Sequence, residues 1–264
     1  MASVTKAVDE GRSRFLERVA ETELESETSI DARLVALTDP QGAAAEQYRM
    51  LLHRLRYARE LRGQVHGAGS QGSVVAITSA VRGEGVSITA ANLALTAARA
   101  RDSRVALIDC DLRRGGTTRL FGTGARPHGL SEVLSNKCEV GEALGRYHEG
   151  QLAIIPAGKA PAEPAALLAS PAFTSLLSQM RSLFDEIFLD VPATLATADA
   201  AIVARRSDGV VLVVKAESTP REMVASAVRS LAGANLWGMV LNGVAPSRVP
   251  GPMQVVRGQL TSGR

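Results

Sequence analysis

The segment 73–89, SVVAITSAVRGEGVSIT, runs from apolar residues through two glycines into a helix-forming stretch. A turn of this kind can hold phosphate. Its backbone N–H groups face the anion, a lysine reaches the β- and γ-phosphates, and the next hydroxyl holds Mg²⁺. Gly83, Gly85 and Ser87 are present, but the position of the lysine is occupied by Val86. The segment therefore predicts a nucleotide site that lacks its principal cation.

Three aspartates follow apolar runs further along the chain, and they are the candidate catalytic residues. Asp109 and Asp111 close one run, and Asp190 closes another. Carboxylates at positions i and i+2 of an extended chain lie on the same side, where they suit a hydrated Mg²⁺ or the orientation of a water. The alternative for the first pair is a solvated turn after a strand. We predict that Asp109 and Asp190 bind Mg²⁺ together with the Ser87 hydroxyl.

Apolar runs rich in Val, Ile and Leu alternate with helical stretches from residue 73 onward. This alternation predicts an α/β fold of the P-loop NTPase kind, a mostly parallel sheet with helices on both faces. Right-handed crossovers would bring the glycine turn and the aspartates to the carboxyl edge of the sheet. The predicted strands are 73–79, 104–110, 152–156, 186–191, 208–215 and 237–244, and the clearest helices are 88–101, 171–183 and 219–232.

The flanks of this pattern differ from it in composition. Residues 1–30 are charged and poor in large apolar groups, which predicts a flexible leader. Residues 31–245 form one domain, and a strongly helical segment at 43–62 precedes the first strand. Residues 246–264 contain prolines and little periodicity, which predicts a flexible tail.

Composition limits the classes of function. The 264 residues carry a formal net charge of +3, which gives no support for a nucleic-acid partner. The chain has no run of apolar residues long enough to span a bilayer and no signal-peptide pattern. Its two cysteines form no metal or disulfide spacing, which fits a reducing cytoplasm.

The order and spacing of the motifs resemble the bacterial tyrosine autokinases of capsular and exopolysaccharide synthesis, in the MinD/ParA branch of P-loop ATPases. Those kinases carry a loop like GEGKST, a strand ending in DxDxR, a strand ending in IIDTPP and a following TDA. The corresponding segments here are GEGVSI at 83–88, DCDLR at 109–113, LDVPA at 189–193, TADA at 197–200 and GMVLNGV at 238–244.

The resemblance implies binding of ATP or ADP with Mg²⁺. It also implies a helix that contacts other subunits, a possible homo-oligomer, and a partner that is a membrane polysaccharide co-polymerase (chain-length regulator) or a cognate kinase. Such a partner would recruit a cytoplasmic chain to the inner face of the plasma membrane. The implied nucleotide-binding residues are Gly83, Glu84, Gly85, Val86, Ser87, Ile88 and Asn242, and the implied partner or oligomer residues are Glu46, Arg49, Leu52 and Arg56.

The departures from the family pattern concern both the catalyst and its substrate. Val86 replaces the lysine, Ile88 replaces a threonine, and Leu52 replaces the last arginine of a Glu-x-x-Arg-x-x-Arg helix. The family phosphorylates tyrosines at its C-terminus, whereas residues 245–264 contain none. We therefore expect nucleotide binding to be weakened or absent. We also expect Leu52 to favour an apolar contact with a partner chain.

Three functions remain open at this stage. The first is a regulatory or scaffolding pseudokinase of polysaccharide assembly. The second is an active ATPase or tyrosine kinase in which Arg82, Arg113 or Arg114 replaces the missing cation. The third is a positioning ATPase of the MinD/ParA type, which ranks last because Val81 and Val86 occupy the two lysine positions of those loops.

Overall fold

The computed structural model describes residues 30–66, 72–100, 103–121, 127–147 and 152–245. The predicted leader and tail therefore lie outside the described residues, apart from Ile30. Seven strands are present within the described ranges. They are β1 (Ser73–Ser79), β2 (Val105–Asp109), β3 (Gly145–Tyr147), β4 (Leu152–Ile155), β5 (Glu186–Asp190), β6 (Gly209–Lys215) and β7 (Leu236–Asn242).

Ten helices occur in the same ranges, and several of them are a single turn long. They are α1 (Val35–Thr38), α2 (Ala43–His66), α3 (Val86–Arg99), α4 (Thr117–Leu120), α5 (Leu130–Leu134), α6 (Val140–Ala143), α7 (Pro164–Ala169), α8 (Pro171–Leu183), α9 (Asp199–Ala204) and α10 (Arg221–Ser230). None of these helices is both long and apolar enough to cross a membrane.

The strands form one sheet in the order β3–β4–β2–β5–β1–β6–β7. β3 runs antiparallel to β4, and the other neighbouring strands are parallel. In this register Asp109 at the end of β2 lies opposite Asp190 at the end of β5, and Ile77 of β1 pairs with Asp190 from the other side. The carboxyl ends of the three central strands therefore meet at one edge, as the sequence predicted.

Each face of the sheet carries its own hydrophobic core. Val75 and Ile77 of β1 face α1, α2 and α3, whereas Val74 and Ala76 face α7, α8, α9 and α10. The central strands β2 and β5 are buried along their whole length, because helices cover both of their faces. The predicted fold class, a mostly parallel sheet with helices on both faces, is confirmed.

Some element boundaries differ from the sequence-based prediction. α3 begins at Val86 and not near Ile88, because Gly85 takes a left-handed φ of 95° and the helix starts directly after it. α2 extends to His66, four residues beyond the predicted end at 62. The short antiparallel strand β3 was not predicted, because a three-residue strand has too few side chains to show an alternating pattern.

Candidate nucleotide-binding site

The turn between β1 and α3 has the backbone of an anion site, and we call residues 83–87 the phosphate cradle. Gly83 and Gly85 have φ of 85° and 95°, a region that residues with a Cβ rarely adopt. In the part of the chain that is described, the backbone N–H groups of Gly83, Gly85, Val86 and Ser87 donate to no acceptor. These groups lie at the N-terminus of a helix of 14 residues, where the dipole favours negative charge.

The cradle is held in place by Glu84, which is 2% exposed. Its carboxylate accepts hydrogen bonds from the backbone N–H of Val81 at 2.8 Å, from the backbone N–H of Lys215 at 3.0 Å and from the Thr219 hydroxyl. The side chain of Glu84 thus joins the cradle to the segment that follows β6. Only its backbone is left to contact a ligand.

Asn242, at the end of the edge strand β7, also supports the cradle. Its Nδ2 donates to the Glu84 carbonyl oxygen at 2.8 Å, and its Oδ1 accepts from the backbone N–H of Gly243 at 2.9 Å. A Cβ at Gly85 would lie 2.1 Å from this Nδ2, so the contact requires glycine. The contact between Asn242 and a nucleotide base that the resemblance implies stays a prediction.

Asp109 and Asp190 lie side by side next to the cradle, and with Thr117 and the Ser87 hydroxyl they form what we call the carboxylate corner. Asp109 accepts from the backbone N–H of Asp111 and of Thr117, both at 3.0 Å. Asp190 accepts from the Thr117 hydroxyl at 3.3 Å, and the neighbouring Ser87 hydroxyl acts to lower its pKa. The prediction that aspartates meet beside the cradle is therefore confirmed for Asp109 and Asp190. The Asp111 carboxylate instead accepts from the backbone N–H of Arg113 in its own turn at 3.3 Å.

Both carboxylates of the corner are buried, and burial disfavours their charged form. Burial raises the pKa of Asp109 from 3.8 to about 6, against the two backbone N–H groups that lower it. The pKa of Asp190 is raised well above its ordinary value, first by burial and then by the neighbouring charge of Asp109. A bound cation would remove this penalty, so the corner has the electrostatics of a cation site.

The corner is closed by the glycines that follow β2. A Cβ at Gly116 would lie 2.8 Å from the Ser87 hydroxyl oxygen and 3.9 Å from a carboxylate oxygen of Asp190. Gly115 has a left-handed φ of 59°. The chain at Gly116 therefore passes close to the Ser87 side chain at the start of α3.

Magnesium fits this corner only with help from a ligand. Among the described residues no group of three or more His, Cys, Asp or Glu side chains could hold a metal ion by itself. Mg²⁺ is commonly held by one or two carboxylates with waters and phosphate oxygens. Ser87, Asp109 and Asp190 match that requirement, so the residues present fit Mg²⁺ bound together with a nucleotide.

Val86 is the residue of the site that does not fit. Its half-buried side chain packs against the core under α3 and brings no charge to the cradle. Arg113, one of three candidate replacement cations, is held by Asp199 through bonds of 3.1 and 3.5 Å. The side chains of Arg82 and Arg114 are exposed and have no partner among the described residues.

The helix predicted to contact other subunits, α2, requires two corrections. Leu52 is 6% exposed and packs into this chain's own core, so it cannot form the expected apolar contact with a partner chain. Arg56 donates to Glu186 at 2.6 Å and to the Ser103 hydroxyl at 2.9 Å, which ties α2 to the sheet. Glu46 and Arg49 are exposed and form an ion pair with each other. Their role in contacts with a partner stays a prediction.

Several residues of the site were not predicted from the sequence. Thr117 bridges the two buried aspartates, and the only signal was its position in GGTT directly after the DCDLRR run. Asp199 was part of a quoted motif, but its pairing with Arg113 depends on the fold. The role of the Glu84 side chain likewise depends on the fold, since its partner Lys215 lies 131 residues away in the sequence.

Known proteins resemble this chain in sequence. Tyrosine-protein kinase YwqD of Bacillus subtilis is 35% identical over 212 residues, which are 80% of this chain and 85% of that protein. Tyrosine-protein kinase CpsD of Streptococcus agalactiae is 32% identical over 193 residues, which are 72% of this chain and 83% of that protein. The chain belongs to the bacterial tyrosine-protein kinase family. No protein-family model matches the chain.

A longer relative shows how the family domain can be combined with other regions. The tyrosine-protein kinase Etk of Escherichia coli is 31% identical over 212 residues, which are 80% of this chain but 28% of Etk. The solved kinase domain of Escherichia coli ETK aligns with a TM-score of 0.74 and 26% identity, over 92% of this chain and 97% of that domain.

More distant structures share the fold. The cell-division ATPase MinD of Pyrococcus furiosus aligns with a TM-score of 0.54 and 25% identity, over 64% of this chain and 71% of that one. Cobyrinic acid a,c-diamide synthase from Mycobacterium smegmatis, solved with bound ADP and magnesium, aligns with a TM-score of 0.53 and 22% identity over 64% and 71%. The tyrosine-kinase family thus has the fold of MinD-like P-loop ATPases.

Proposed function

We propose that this chain is a regulatory or scaffolding member of the tyrosine-kinase family that acts in capsule or exopolysaccharide assembly, with nucleotide binding weakened by Val86. The observation that carries the proposal is the uncharged, half-buried side chain at the first residue of α3, inside an otherwise complete cradle. Phosphoryl transfer needs a cation at this position, because charge builds up on the transferred group.

The loss of the lysine has an expected size. A well-placed contact with a charged group contributes roughly 1.5–3 kcal/mol, which corresponds to about 10- to 150-fold in affinity. The backbone N–H groups of the cradle and the carboxylate corner remain, so binding is weakened and not abolished. Catalysis falls further than binding, since the lysine also acts on the transition state.

A titration with fluorescent ATP and Mg²⁺ tests the proposal. We expect very weak binding by the wild type and recovery in Val86→Lys. Val86→Met is the matched control, because it lengthens the side chain without adding a charge and should leave the affinity low. Micromolar binding of ATP by the wild-type chain would contradict the proposal.

We further propose that a partner recruits the chain to the cytoplasmic face of the plasma membrane. The partner we propose is a membrane polysaccharide co-polymerase or a cognate kinase. Support comes from Etk, where the region similar to this chain is a minor part of a larger protein. Co-purification from membrane fractions is the test, and a chain that stays wholly in the soluble fraction with all membrane proteins present contradicts it.

Self-association is proposed to be weaker than in kinases whose helix keeps both arginines. Of the family's Glu-x-x-Arg-x-x-Arg pattern, Glu46 and Arg49 remain exposed on α2, whereas Leu52 is buried in the chain's own core. Position 52 lies on the covered side of α2, and its leucine offers a partner no bidentate donor. Light scattering on the purified chain should give a small particle, and a stable octamer contradicts this expectation.

A second candidate, an active kinase or ATPase with a relocated cation, is favoured by one observation. Arg114 is exposed without a side-chain partner in the described part of the chain, and it lies two residues before Gly116, which faces Ser87. A radiolabelled-ATP assay decides between the two. Activity that is lost in Arg114→Ala and retained in Arg119→Ala, a change at an exposed arginine of α4, supports this candidate. No activity above an Asp109→Ala control removes it.

A further inference from the structure

The chain has three tyrosines, and the structure separates them by their surroundings. Tyr147 is 3% exposed, and its ring packs against that of Phe121 with centroids 5.6 Å apart. Tyr48 is half-buried against the core beside α3, and burial raises its pKa. Tyr57 is 57% exposed. Only the Tyr57 hydroxyl is freely reachable by another macromolecule.

Tyr57 lies on the face of α2 that points away from the core. Glu46, Arg49, His53 and Tyr57 are all exposed and follow one another at intervals of three or four residues, so they share one face of the helix. The opposite face, which includes Leu52, packs into the core. Tyr57 therefore projects from the outermost side of α2, on the same face as the pair predicted to contact a partner.

We propose that Tyr57 is the phosphate acceptor of this chain and that a tyrosine kinase acting in trans modifies it. The phenol oxygen of Tyr57 bonds to the γ-phosphorus of the kinase's Mg-ATP, and the bond from that phosphorus to the β–γ bridging oxygen breaks. ADP leaves, and the phenolic proton passes to a carboxylate base of the modifying kinase. The inference rests on the proposed function only in placing this chain within a tyrosine-phosphorylation system.

The modification would change the outer face of α2. A phosphate on Tyr57 adds close to two negative charges. They would lie one turn from Glu60 at i+3, which repels them, and one turn from Arg54 at i−3, which attracts them. Arg49 is eight residues away, or about 12 Å along the helix axis. Phosphorylation of Tyr57 therefore alters the charge presented to anything that docks on Glu46 and Arg49.

The test uses the full chain, Mg-ATP and the kinase domain of Escherichia coli Etk as the added kinase. Intact mass and peptide mapping are expected to find one phosphate, on Tyr57, and Tyr57→Phe is expected to lose it. Tyr48→Phe is the matched control and keeps the label. Thermal melting of each variant excludes loss of folding as the cause.

The outcomes separate this inference from the proposed function. Label that persists in Tyr57→Phe overturns the inference, as does an unlabelled wild type in a reaction where the Etk domain labels itself. Label that forms without added kinase and disappears in Tyr57→Phe supports Tyr57 as acceptor, while it removes the proposal of weakened catalysis. Weak ATP binding together with a label on Tyr48 supports the proposed function and overturns Tyr57 as the acceptor.

Discussion

The phosphate cradle and the carboxylate corner lie next to each other, yet they are built in different ways. The cradle is made of backbone N–H groups whose directions are set by Gly83 and Gly85. The corner is made of side chains, two of them buried carboxylates. Val86 stands where the predicted phosphate-binding loop would carry a lysine, whereas the corner has both of its carboxylates.

This difference shows which part of a nucleotide site can be lost without disturbing the fold. A valine at the start of α3 packs against the core, so the cradle keeps its shape without the lysine. The corner is different, because burial disfavours the charged form of its two carboxylates. The raised pKa of Asp109 and of Asp190 reflects this. Retention of two unfavourable buried carboxylates fits a corner that still binds a cation.

The largest expected effect tests whether the cradle lacks only a charge. Val86→Lys should raise the calorimetric affinity for Mg-ATP by about 10- to 150-fold, because the lysine adds one charge-assisted contact to an intact cradle. Tyrosine phosphorylation should recover less, since it also requires that an acceptor such as the exposed Tyr57 reach another chain's active site. An anti-phosphotyrosine blot is run beside the titration. A variant that phosphorylates itself strongly while binding ATP no more tightly would overturn the comparison.

The second prediction breaks the backbone of the cradle instead of its charge. Gly85→Ala places a Cβ at a φ of 95° and 2.1 Å from Asn242, and such backbone strain costs roughly 1–3 kcal/mol. Urea unfolding should show this loss, and Val86→Lys should no longer restore ATP binding in its presence. The double variant with Asn242→Ala removes the steric contact and keeps the strained φ, so it should recover only part of the stability. Full recovery contradicts the role of φ.

The third prediction concerns the corner and depends on pH. Asp190 has a raised pKa, so the folded state favours its protonated form, and that advantage is lost as the pH rises above the unfolded value of 3.8. Asp190→Asn removes the charge and leaves two hydroxyl partners that can donate or accept. The variant should melt at a higher temperature than the wild type at pH 8, and the difference should shrink towards pH 4. A gain that is equal at both pH values contradicts burial as the cause.

The smallest effect is expected from the bridge between the two carboxylates. Thr117→Val removes the hydroxyl that donates to Asp190 and keeps the backbone N–H that donates to Asp109. The free energy of unfolding should fall by about 0.5–1.5 kcal/mol, the usual net value of one hydrogen bond. Denaturant unfolding measures it. A loss of several kcal/mol would mean that the hydroxyl organises the corner and does not merely support it.

Sequence patterns predicted the part of the site that depends on strand ends. Asp109 and Asp190 each close an apolar run, and parallel strands bring such ends to the same edge of the sheet. That the two residues are neighbours follows from the pairing of β2 with β5. The identity of Val86 was equally visible, because the glycines fix its place in the turn. These predictions needed only local pattern and the handedness of the crossovers.

The remaining features depend on distant partners. Leu52 was expected to face a partner, but its orientation is set by where α2 lies on the sheet. Arg56 was expected at the same surface, yet its carboxylate partner Glu186 is 130 residues away. A helical pattern gives the relative positions of side chains around the helix axis and leaves open which side is covered.

The bonds of Glu84 change the entropy of nucleotide binding. A glycine-rich turn is costly to immobilise, since glycine loses more conformational freedom than any other residue. In this protein the turn is already ordered without a ligand, because the buried Glu84 carboxylate and the Asn242 amide hydrogen-bond to it. A nucleotide that binds would therefore lose little free energy to ordering its own site, and we expect a single substitution, Val86→Lys, to be enough to raise the affinity.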